Sequence, residues 1–83
     1  MRDKLRLNDL IMDEFVTDET MITVHQTVII NGRQSANYCQ GRWFSDNILN
    51  QGHLTVKSFA FDSLNNQLTV DLEKKIIKSP LRR

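Results

Sequence analysis

Met21-Ile22-Thr23-Val24-His25-Gln26-Thr27-Val28-Ile29-Ile30 runs straight into Asn31-Gly32. The ten residues are rich in Ile, Val and Thr, whose branched side chains suit a pleated strand. Ile22, Val24, Val28 and Ile30 fall on one face, with Gln26 interrupting. Met21, Thr23, His25, Thr27 and Ile29 fall on the other, because successive side chains alternate. Asn-Gly is the strongest short hairpin signal, since both central turn positions need positive φ. A two-residue turn fixes the register. Ile30 then faces Arg33, Val28 faces Ser35, His25 faces Tyr38, and Val24 faces Cys39. The returning strand, roughly 33–40, is more polar than the first and reads as an edge.

A second hairpin follows downstream. Residues 54–61 form a strand carrying Val56, Phe59 and Phe61, whose spacing is irregular enough for a bulge. Asp62-Ser63-Leu64-Asn65-Asn66 reads as a turn. Residues 67–73 alternate, with Leu68, Val70 and Leu72 inward and Gln67, Thr69, Asp71 and Glu73 outward.

Two helices complete the pattern. Leu7, Leu10, Ile11 and Phe15 make one helical stripe and predict a helix over 5–15, with Asn8 or Asp9 near its cap. Trp43 and Phe44 anchor a short central helix at Ile48-Leu49. Ser45 is its expected N-cap, and Gly52 its expected left-handed C-terminal stop. The fold class is therefore α+β: a small antiparallel sheet of about four strands in two hairpins, with an N-terminal and a central helix.

An 83-residue chain has room for one domain and a marginal core. Residues 1–73 are read as that domain and 74–83 as a basic C-terminal tail. The domain holds six basic and ten acidic residues, net −4. The tail holds five basic residues and no acid, net +5. One cysteine, Cys39, excludes an intramolecular disulfide and suits the cytoplasm. No apolar run resembles a secretory signal or approaches the roughly 18 residues of a membrane helix.

No catalytic residue, cofactor site or metal site is expected. Cys39 and His25 should point to opposite faces of the first hairpin, so the thiol lacks a base. Two histidines and one cysteine lack the spacing of a zinc site. His25 and His53 read as ordinary strand and loop residues. Asp71 and Glu73 share a solvent face rather than a cleft. GxGxxG, GxxxxGK and GxSxG are absent, and no small-molecule ligand is evident.

Two working surfaces remain. The first strand is apolar on both faces; the two short helices cover one, and the other is left open unless the N-terminal helix and the tail cover it. The other face, or the polar edge, suits a protein partner or self-association. The alternative is nucleic acid. Arg33, Arg42, Lys74, Lys75, Lys78, Arg82 and Arg83 would meet phosphates, beside the aromatic pair Trp43-Phe44.

Asp9-Leu10-Ile11, Thr23-Val24, Gly41-Arg42-Trp43, Ile48-Leu49, the Val56-to-Phe59 strand and the Leu68-to-Leu72 strand together resemble small uncharacterised proteins of phages, prophages and other mobile elements of Gram-positive bacteria. These are framework positions. The resemblance implies an intracellular, non-enzymatic accessory protein and assigns no functional residue.

Overall fold

The computed structural model describes residues 5–77. Lys78, Arg82 and Arg83, three of the expected phosphate contacts, lie outside the described residues. In chain order the elements are α1 (Leu7–Ile11), β1 (Met21–Ile30), β2 (Arg33–Gly41), α2 (Asp46–Leu49), β3 (Val56–Asp62) and β4 (Gln67–Ile77).

The Asn31-Gly32 turn forms as its chemistry requires. Asn31 has φ 52° and Gly32 φ 86°. The closing pair is Ile30 with Arg33, and the ladder runs without a break to Ile22 with Gly41. His25 therefore faces Tyr38, and Cys39 lies beside Val24 on the opposite face. β3 and β4 form the second antiparallel hairpin, with a bulge between Val56 and Ser58.

The hairpins join through β1 and β4, which run parallel, so the sheet order is β2-β1-β4-β3. The sheet is thus mixed rather than wholly antiparallel. Local turn chemistry specifies each hairpin but not which edges meet. Thr20 helps to set the join. Its buried hydroxyl donates to Asn66 Oδ1 at 2.7 Å, and the next amide, Met21, donates to the Asn66 carbonyl.

The interruption at Gln26 also has a structural cause. The β1–β4 register shifts between Gln26 and Val28. Gln26 is buried among aliphatic residues, and its Nε2 donates to the Glu73 carbonyl at 3.0 Å. A buried amide there satisfies backbone beside the irregular ladder, which an aliphatic residue would leave unmet. β4 then continues to Ile77, so Lys74 and Lys75 lie on a strand rather than in a tail.

The core lies on one face. Ile22, Val24 and Val28 of β1 and Leu68, Val70 and Leu72 of β4 are buried there, with Val56, Ile48 and α1's Leu7, Leu10 and Ile11. α1 spans five residues, shorter than the stripe predicts. Met12-Asp13-Glu14 puts acids where a helix C-terminus disfavours them, and no basic residue lies in the last turn. Phe15 still reaches the stripe's side of the molecule, stacked on Phe59 and tilted against Phe61. The helix begins after Arg6, whose amide donates to Asp9 Oδ2.

Gly52 is not left-handed, contrary to the sequence expectation; Asn31, Gly32 and Asn66 have the positive φ values. A Cβ at Gly52 would press on the end of the Asn8 side chain, which would have to turn aside, and the Gly52 carbonyl accepts the Asn8 amide. Ser45 is the N-cap residue of α2, but its hydroxyl accepts the Arg42 amide instead of capping.

Candidate functional site

The second face of the sheet is uncovered among the described residues. Its central row is Met21, Thr23, His25, Thr27 and Ile29, each half-buried only by neighbouring strands. His25 Nδ1 lies 2.5 Å from Asp71 Oδ1 across the parallel β1–β4 pair. A carboxylate accepts, so Nδ1 carries the proton and Nε2 is left as an acceptor when the ring is neutral. Tyr38 tilts against the same imidazole, with ring centroids 4.7 Å apart. Tyr38 is 72% exposed, so the cluster is covered on neither side by anything larger than its own rings.

This cluster divides two shallow depressions. One, of about 470 Å³, is lined by Thr27, Ile29, Gln34, Lys57 and Asp71, together with the bulged Glu73-Lys74 segment. The other, of about 320 Å³, lies among Tyr38, Ser58, Ala60 and Thr69. Both are open and bounded by side chains of mixed polarity. Such a surface suits a broad contact better than an enclosed ligand.

The β2 edge adjoins this face. In a two-residue hairpin, the closing pair and every second pair exchange both backbone bonds. Arg33, Ser35, Asn37, Cys39 and Gly41 therefore turn their backbone groups toward β1. Gln34, Ala36, Tyr38 and Gln40 turn theirs outward. At the far end Asn47 Nδ2 donates to the Gln40 carbonyl at 3.0 Å. The outward groups of Gln34, Ala36 and Tyr38 have no partner among the described residues.

The two sheet edges are protected differently. Exposed edges are normally blunted by bulges, charges or proline. β3 carries a bulge at Lys57 and ends on Asp62. β2 is nine residues long, unbulged and without proline, and Arg33 is its single charged residue.

No protein-family model, no characterised protein and no solved structure matches the chain.

The expected phosphate contacts do not form one patch among the described residues. Arg33 and Lys75 lie near the Asn31-Gly32 end, flanking β1 opposite Ile30 and Val28. Arg42 follows the other end of β2, roughly 30 Å away for a nine-residue strand. Trp43 is packed against the core and its Nε1 donates to Asp18 Oδ1 at 2.8 Å. Its ring also meets Phe44 edge-on. Half-exposed Phe44 is the more open of the two.

Cys39 sits on the helix-covered face, its Sγ 2.7 Å from Gln51 Nε2. His25 projects from the opposite face, as the hairpin register requires. Among the described residues, no three His, Cys, Asp or Glu side chains gather as metal ligands, and no helix is long and apolar enough to cross a membrane.

The His25–Asp71 pair was not visible in the sequence. Asp71 reads as outward on its strand and His25 as a residue on the second face of β1, and the structure places the two on the same face. Their meeting depends on the parallel join, for which no local signal exists.

Proposed function

We propose that this chain is a small, non-enzymatic accessory protein of the phage or mobile-element kind. It acts in the cytoplasm through protein contacts made along the β2 edge and the sheet face beside it. The observation that carries this reading is the unguarded edge: outward backbone groups at Gln34, Ala36 and Tyr38 on an unbulged, almost uncharged strand. An added strand would gain main-chain hydrogen bonds there, while side chains beside it read Tyr38 and the groove at Gln34. The framework resemblance and the single free thiol, Cys39, support the cellular setting.

Ala36→Pro tests the reading. Proline at this position removes an outward N–H and leaves the bonds to β1 in place. The folded variant is expected to lose partners that the unaltered chain retains from a host lysate. Leu64→Ser, in the exposed β3–β4 turn and outside both depressions, is expected to keep them. Retention of the same partners by Ala36→Pro would contradict the proposal.

A further inference from the structure

We infer that the partner of the β2 edge is a second copy of the same chain, paired antiparallel through β2 about a two-fold axis at Asn37. This rests on the protein-contact reading and names its occupant.

Hydrogen-bond parity selects the geometry. The outward groups belong to Gln34, Ala36, Tyr38 and Gln40, so only registers that pair these positions with one another form a ladder. Centring on Asn37 pairs Gln34 with Gln40 of the second copy and Ala36 with its Tyr38. The symmetry-related pairs follow, and the full set of outward positions is used. The carbonyl of Gln40 already accepts from Asn47, and its second lone pair remains for the ladder. A register centred on Ala36 or on Tyr38 leaves one outward position outside the paired segment.

Side chains agree with the same register. On the open face, the large, exposed Tyr38 ring lies over the small Ala36 of the other copy, and two glutamine amides meet. On the helix-covered face, Asn37 meets its own symmetry mate and Ser35 meets Cys39. Arg33, the one charge of the strand, lies opposite Gly41 and away from its own copy. Gly41 abuts the Ser45 and Asn47 side chains at the start of α2, so the guanidinium comes alongside uncharged polar groups. No like charges oppose one another. An isologous contact closes on itself. The joined sheet would then end at two β3 strands, each guarded by the bulge at Lys57.

Cysteine scanning in a Cys39→Ser background tests both the partner and the register. Asn37 and its mate would form a non-hydrogen-bonded pair, with Cα atoms about 4.5 Å apart, within disulfide reach. Asn37→Cys is expected to link copies under mild oxidation at least about tenfold faster than Ala36→Cys or Ser35→Cys. Sedimentation of the unaltered chain is expected to show a concentration-dependent dimer, weakened about tenfold or more by Ala36→Pro. Faster linking at Ala36 than at Asn37 would overturn the register. A monomer at every concentration would overturn the second copy as occupant. If that monomer still captures another protein through an edge that Ala36→Pro abolishes, the protein-contact reading survives; if capture is indifferent to Ala36→Pro, both fall.

Discussion

His25 and Asp71 stand 46 residues apart in sequence and meet at 2.5 Å across the parallel β1–β4 pair. The contact ties the two hairpins together on the open face, at the same level as Val24 and Val70 on the buried one. Its worth is modest, because both side chains remain partly in water. His25→Gln and Asp71→Asn are each expected to cost up to about 1 kcal/mol, with a coupling of similar size in a double-mutant cycle. Urea denaturation measures both. Nitrogen NMR of the neutral imidazole is expected to place the proton on Nδ1.

Removing core volume costs more. Ile22 is fully buried between the two hairpins and α1. Ile22→Ala is expected to lose about 2–5 kcal/mol. A domain of this size has little more than that in total, so the variant should be largely unfolded by circular dichroism.

The hairpin turn gives a different kind of cost. A side chain at Gly32 meets open space, so only its φ of 86° opposes substitution. Gly32→Ala is expected to destabilise by about 1–2 kcal/mol without shifting the β1–β2 register. Thermal unfolding gives the cost, and cross-strand contacts by NMR give the register.

Acid stability should register the β3–β4 turn. Asp62 accepts hydrogen bonds from the Asn65 side chain and from the Asn65 and Leu64 amides, which hold its carboxyl below the usual 3.8. A group with a depressed folded pKa contributes stability above its unfolded value and loses it as pH falls through the folded value. Asp62→Asn should therefore show a shallower decline in stability below about pH 4 than the unaltered chain, by denaturant titration at stepped pH.

Much of this architecture is legible in the sequence, and the reason is local. Asn31-Gly32 dictates its turn, so every β1–β2 pair follows by counting. The alternation from Leu68 to Leu72 names the buried face of β4 without reference to anything else. What escapes is set by contacts between distant segments. The parallel join depends on Thr20 reaching Asn66, and so His25 meeting Asp71 could not be read. Gln26 looks like a flaw in β1 until Glu73 presents it a carbonyl. Gly52 resembles a helix stop, but its role is set by Asn8, 44 positions away. The edge reading of 33–40 was available from polarity alone. The contrast that gives it meaning, an unbulged β2 against a bulged β3, needs the pairing of both hairpins.

Residue-resolved amide hydrogen exchange at low and high protein concentration tests the edge most directly. Arg33, Ser35, Asn37 and Cys39 should be protected at both, through their bonds to β1. Gln34, Ala36, Tyr38 and Gln40 should exchange rapidly when dilute and become protected when concentrated, in strict alternation with their neighbours. Rapid exchange at these alternate positions at every concentration, and in the presence of any captured partner, would contradict the assignment of β2 as the working edge.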